Sequence, residues 1–304
     1  MRGSQTIRMV QGAMIAALFG VVALLNTYTG GILDVFLCYG MVIPLAWYGY
    51  HYSLKENIVV SFVSFIIVVM MGLPFFIISS ITSCLAGLFI GEALKRKWSK
   101  DILLIGTFIV MFIGNILIYE VFAGILEMDM ISEMTETYQW MISTFPSLSN
   151  SLSLNMLLSL IPMILIIMSS MEMYVVLLLC QLVLGRLQVE FPGQFHIAFM
   201  HLNAKTGIVI SILTFLSYIL RNTFHIDYFV FVYIYTFGLL IFGLQGLSFL
   251  SYYMIVKGYR VGIIFVFLGI FVPGLNMLYV IFGILDIFSD LREKLLYNSN
   301  NHNR

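Results

Sequence analysis

The chain has 304 residues, 61% of them hydrophobic and 10% charged, and its 15 basic and 15 acidic side chains cancel. That mixture cannot be wrapped around one soluble core, and it has no basic excess with which to hold nucleic acid. The fold class expected is therefore all-α, a polytopic bundle of transmembrane helices surrounded by membrane lipid.

A bilayer core about 30 Å thick takes roughly 20 apolar residues per helical span, and residues 9–33, 57–91, 102–119, 137–171, 228–256 and 261–285 contain no Asp, Glu, Lys or Arg. The opening GAMIAALFGVVALLN runs into a second apolar stretch without a small-x-small cleavage site, so it is read as a retained helix and not a signal peptide. Spans are expected at 9–27, 33–50, 57–72 and 74–94, with Gly72-Leu73-Pro74 as the break between the third and fourth, since proline cannot continue a helical ladder. Four more follow at 101–124, 154–184, 206–222 and 228–256. The last apolar segment, 261–288, is interrupted at Val272-Pro273-Gly274-Leu275-Asn276 and reads either as one kinked span or as a broken pair returning to the same side. Residues 1–304 are thus expected to form a single integral membrane domain of about eight spans plus that broken C-terminal pair.

Lys and Arg accumulate in cytoplasmic loops. Eight spans with a returning pair put every basic residue except Arg221 on one side, which predicts a cell-membrane protein with both termini cytoplasmic.

The longest outer segment, 125–153, holds Glu127, Asp129, Glu133 and Glu136 and no basic residue. Met130, Met134, Tyr138, Met141 and Phe145 recur there at helical spacing, which predicts an amphipathic helix. It reads either as an interfacial helix in a solvated acidic loop or as a lid over a cavity.

Polar groups inside the spans narrow the search. A carboxylate at the bilayer centre costs about 2.5–3.5 kcal/mol on insertion scales. Glu172, in MSSMEM, lies well inside the sixth span with no counter-charge on its own turn. It is read either as a substrate-binding or proton-coupling carboxylate or as a hydrogen-bonded packing residue, with a cross-helix partner expected in both cases. Glu120 near the end of the fifth span and Asp34 at the start of the second lie close enough to water to snorkel. Asn115 shares a helix face with Tyr119 and is expected to tie helices together or to meet a ligand. The candidate substrate-binding residues are therefore Glu172, Asn115 and Glu120.

Two further faces bear on packing. Ala13, Ala17 and Gly20 follow one another at i, i+4 and i+7 in the first span, a small-residue pattern that serves internal packing or partner docking. In the eighth, Gly238, Gln245, Ser248 and Tyr252 form one stripe. An amide without a partner in hydrocarbon is penalised, so Gln245 and Ser248 are expected to face protein, with Gly243 and Gly246 allowing a close neighbour.

Cys38, Cys84 and Cys180 all fall in apolar segments and read as packed thiols. No Cys or His pattern has metal-ligand spacing, so no metal or other cofactor is expected. Walker, Gly-x-Ser-x-Gly and His-Glu-x-x-His motifs are absent, and no serine is visibly paired with a base inside the bilayer; the chain is not read as an enzyme.

The segment FGLQGLSFLSYYMIVKGY and the closing GILDIFSDLREKL, with Gly283, Asp286, Asp290 and Arg292, resemble the YybS-like family of bacterial multi-pass membrane proteins. The arginine-rich start, Pro44 and FPGQF at 191–195 are compatible with it. That family is distantly similar to the substrate-binding subunits of energy-coupling-factor transporters. The resemblance implies six helices in such a subunit and an Ala-x-x-x-Ala face on the first helix, here Ala13 and Ala17, that docks a transmembrane coupling protein. ATP hydrolysis would then be supplied by partner ATPases.

Two functions are compatible with these residues. One is a membrane-embedded subunit that binds or transports a small solute in a cavity lined by Asn115, Glu120 and Glu172. The alternative is a scaffold or regulatory membrane protein whose polar residues only knit helices together and whose basic loop KRKWSK meets anionic lipid or a cytoplasmic partner.

Overall fold

The computed structural model describes residues 2–126, 129–147, 153–195, 197–224, 228–259 and 275–289, together with 262, 265, 266, 269, 291, 292 and 295. Every regular element among these is helical, and the chain clusters into two compact units, Met1–Gln194 and Phe195–Arg304. Glu127 and residues 148–152 of the outer segment, Val272, Pro273 and Gly274 of the expected break, and Asp290 lie outside the described residues.

The first unit contains α1 (Arg2–Tyr28), α2 (Asp34–His51), α3 (Leu54–Met71), α4 (Pro74–Lys95), α5 (Lys100–Ile116), a π turn (Leu117–Val121), α6 (Ala123–Leu126), α7 (Met130–Thr144), α8 (Leu154–Leu158) and α9 (Ile161–Arg186). Local chemistry sets the helix starts. Ser53 accepts from the backbone N–H of Glu56 while the Glu56 carboxylate accepts from that of Ser53, a capping box that opens α3. Gly72 caps the end of α3 and Pro74 occupies the first turn of α4, where its missing N–H leaves no bond unmade. Ser99, Asp129 and Ser153 cap α5, α7 and α8 by accepting from the N–H groups of Ile102, Ile131 and Met156.

Between helices in lipid there is little hydrophobic drive, so close packing has to hold them. α2 and α4 meet at Gly91, where a Cβ would stand 2.8 Å from Ala46 O and 3.0 Å from Gly49 Cα. A larger side chain there would push the helices apart. Phe19, Val68, Phe76 and Leu45 fill the space among α1 to α4 with no exposed surface. The opposite faces are apolar as well: Ile102, Ile105, Ile109 and Ile113 form an exposed stripe down α5, the signature of a surface that meets acyl chains.

The second unit contains a 3-10 turn (Ile197–Phe199), α10 (Ala204–Phe224), α11 (Tyr228–Val256) and α12 (Leu275–Phe288). α11 and α12 cross with their backbones in contact. A Cβ on Gly246 would strike Tyr279 O, and one on Gly283 would strike Phe242 O.

Among the described residues, six stretches are long and apolar enough to cross a membrane: Gln5–Tyr28, Leu54–Met71, Pro74–Lys95, Lys100–Val121, Leu154–Arg186 and Val230–Val256. The sequence predicts two more. α2 is helical over the expected residues, yet Asp34, His51 and three tyrosines lower its apolar character. α10 is helical across the expected 206–222, with an apolar stretch at Ala204–Leu220. The protein is nonetheless an all-α, multi-pass membrane bundle.

Candidate functional site

Asn115 lies one residue before the end of α5 and is 2% exposed. Its Nδ2 donates to Ser169 Oγ at 2.9 Å and to Glu172 Oε2 at 2.8 Å, both on α9. The Ser169 hydroxyl donates a hydrogen bond to Leu165 O at 2.7 Å, so the amide and the hydroxyl are fixed in orientation. The cross-helix partner expected for Glu172 is therefore Asn115. Tyr39 of α2 interacts with the same carboxyl through its hydroxyl.

These groups face a cavity of about 200 Å³ among α2, α4, α5, the π turn and α9. Its polar lining consists of Tyr39, Ser79, Thr82, Ser83, Asn115, Tyr119 and Glu172, and its apolar lining includes Val42, Phe75, Met111, Ile118 and Met168. Ser83 donates to Cys38 O at 2.9 Å. Ser79, 8% exposed, has its hydroxyl beside the Cys38 thiol, which interacts with it. Among the described residues that line the cavity, Glu172 is the acid and there is no Lys, Arg or His.

Glu120 does not join Asn115 and Glu172. It is exposed and does not line the cavity. Ordinary helix periodicity accounts for this, since Glu120 falls about 140° round the helix from Asn115; the turn beyond is widened, with Phe122 N bonding Leu117 O at 2.9 Å, five residues back. Asn115 and Tyr119 do share the cavity face, as their spacing predicts.

The outer segment forms α7, whose Met130 and Met134 pack with Tyr119, Phe112, Leu158, Ile161 and Leu165. Tyr138 and Met141 continue that half-buried face, while Phe145 ends the helix and is exposed. α7 thus rests on a side chain that lines the cavity.

On α1 the small residues divide. Gly20 is buried and a Cβ there would meet Ile67 at 2.9 Å, whereas Ala13 and Ala17 are exposed. The buried face of α1 is Gly12, Ile15, Ala16 and Phe19, one residue to the side of the expected stripe.

The second unit holds a different polar group. Gln245 Nε2 donates to Asp286 Oδ2 at 2.6 Å, and its Oε1 accepts from Leu202 N at 3.2 Å. Arg292 Nε and Nη2 clamp Asp286 at 2.8 to 3.1 Å, while Nη1 donates to Ala198 O at 3.0 Å and Nη2 also to Ser248 Oγ at 3.0 Å. Ser248 donates to Met200 O at 2.5 Å, and the guanidinium lies 5.1 Å from the centre of the Tyr252 ring. Gln245 and Ser248 face protein, as expected, and every donor or acceptor named in this cluster is used.

Sequence reasoning did not find Tyr39, Ser79 or Thr82. The signal available was the hydroxyl run Ser79, Ser80, Thr82, Ser83 within an apolar helix. The basic loop is also more engaged than its composition suggests: Lys95 donates to Tyr52 O, Arg96 pairs with Glu92, Lys97 with Glu190 at 2.9 Å, and Lys100 donates to Gln194 O. Cys38, Cys84 and Cys180 are buried free thiols. No cluster of three or more metal-ligating side chains occurs among the described residues.

Long apolar helices, lipid-facing stripes and buried polar groups bound across helices define a polytopic α-helical membrane protein. The family model described as "Predicted membrane protein (DUF2232)" matches residues 17–287, and the chain belongs to that family. No curated protein and no solved structure matches it.

Proposed function

We propose that the protein is a membrane-embedded subunit that binds or transports a small solute in the cavity of its first unit. The observation that carries this reading is Glu172, a carboxylate held by Asn115 and directed into a largely apolar space whose lining holds no Lys, Arg or His among the described residues. An idle carboxyl in lipid is costly and a filled bundle would leave no room beside it. α7 serves as the cover of this cavity through its contact with Tyr119.

The reading extends to a YybS-like relative of energy-coupling-factor subunits, with both termini cytoplasmic. Two observations support that extension. The first unit contains six helices of 17 residues or more, α1 to α5 and α9, the number such subunits have. Ala13 and Ala17 are exposed, as a face that docks a coupling protein must be. ATP hydrolysis then belongs to partner subunits. Against the scaffold alternative stand the cavity itself and the partners already taken by the cations of the Lys95–Lys100 loop.

Mass spectrometry of the detergent-purified protein tests this reading, under native conditions for bound subunits and after denaturation for extracted small molecules. A reproducible non-lipid solute is the expected result. Phospholipid alone, with no associated subunit, would favour the scaffold.

A further inference from the structure

If the first unit binds a solute, as proposed above, the lining of its cavity also bears on the class of that solute. The lining presents one carboxylate and no cation among the described residues. Both hydrogens of the Asn115 amide are turned to Ser169 and Glu172, so the amide stabilises the acid and offers no donor to an incoming anion. The hydroxyls of Ser79 and Thr82 on the same wall have acceptor capacity for a donor placed in the space.

The remaining walls select further. Phe75, Tyr39 and Tyr119 bring aromatic rings to the cavity, whose faces attract cations. A bare metal ion fits poorly, because hard cations take six or more oxygen ligands and no metal-ligating cluster is found among the described residues. The volume of about 200 Å³ falls below the roughly 300–1,000 Å³ of sites for drug-sized ligands, so the solute is small.

We propose that this cavity binds a small organic ammonium ion, a protonated or quaternary amine with an apolar body, whose charge meets Glu172 and whose substituents lie among Phe75, Tyr39 and Tyr119. Such a ligand supplies the positive charge that the protein omits and leaves the apolar walls covered. A neutral isostere satisfies the walls but not the acid.

The test uses the full chain purified in detergent and titrated calorimetrically with benzylamine hydrochloride, benzyl alcohol and sodium benzoate. Benzylammonium is expected to bind saturably and at least about tenfold more tightly than the alcohol or the anion. Glu172→Gln is expected to remove that preference, so that the amine binds no more tightly than the alcohol. Labelling of Glu172 by dicyclohexylcarbodiimide, read by peptide mass spectrometry on the wild-type protein, supplies a test that needs no variant: benzylammonium should slow it and benzyl alcohol should not. Equal binding or equal protection by the amine and the alcohol would overturn the assignment, as would absence of saturable amine binding. The extraction experiment separates the two levels, since a retained neutral or acidic solute removes the cation class and keeps the solute-binding reading, whereas phospholipid alone removes both.

Discussion

Glu172 and Asp286 are both carboxylates buried in apolar helices, and their surroundings differ in one respect. Asp286 has a side chain with no exposed surface and meets the guanidinium of Arg292 and the amide of Gln245, whose other atoms are in turn taken up by Leu202, Ala198 and Ser248. Glu172 meets an amide and a phenol, and beside it is space. Where the chain provides the cation, the polar cluster is closed and its role is to bind segments of one unit together. Where the chain withholds it, a cavity stands in that place.

Breaking the closed cluster should have the largest effect. Asp286→Ala leaves the part-buried Arg292 without its carboxylate, a type of loss whose upper range is about 3–5 kcal/mol for fully buried pairs, and should appear as a strong drop in the thermal unfolding temperature in detergent. A change no greater than that of a surface substitution would show that the pair is not a structural clamp. Next comes the crossing that holds the cluster in register. A Cβ on Gly283 would strike Phe242 O and lie 2.9 Å from Gly246 N, both backbone atoms that cannot swing aside, so Gly283→Ala should destabilise by about 1–3 kcal/mol, measurable in the same assay. Wild-type stability would mean that α11 and α12 stand farther apart.

The open site should behave in the opposite way. Glu172→Gln keeps the shape and a hydrogen bond to Asn115, so its stability cost should stay near 1 kcal/mol or below while solute binding is lost. A fall as deep as that of Asp286→Ala would place Glu172 with the structural carboxylates. The smallest effect belongs to the exposed pair Lys97 and Glu190. Its hydrogen bond holds the Glu190 carboxyl below and the Lys97 ammonium above their ordinary ranges. The stabilisation on the Glu190 side is present above the ordinary glutamate value and lost as pH falls through the lowered one; on the Lys97 side it is present below the ordinary lysine value and lost as pH rises through the raised one. The unfolding temperatures of wild type and Lys97→Ala should therefore differ slightly at pH 7 and converge under acid, with salt weakening the difference. A gap that persists in acid would assign the effect to something other than this pair.

Much of the helical order was legible in the residues. Gly72 and Pro74 end one helix and begin the next because one caps and the other cannot donate, and both effects are local. Glu172 and Gln245 announced partners because lipid offers them none. What escaped depends on tertiary placement. Tyr39 and Ser79 reach the cavity only through the packing of α2 on α4 and α9, and no periodicity within a single helix reports its neighbours. The Asp286–Arg292 clamp needs the chain to bend back beyond α12, so its two residues were visible only as parts of a resembling motif. Glu120 falls about 140° round an ordinary helix from Asn115, so its outward place was open to period counting, whereas the widening of the turn at Leu117–Val121 was not.

That widened turn, Leu117–Val121, also acts as a phase setting for the helical residues beyond it. Each residue advances an α-helix by roughly 100°, so deleting one residue here and closing the turn to ordinary α geometry would bring Glu120 to the angular place of Tyr119. A second acid would then stand opposite Glu172 where a phenol does now. The distinction between a chamber with one acid and a chamber with two rests, in this chain, on the length of one helical turn.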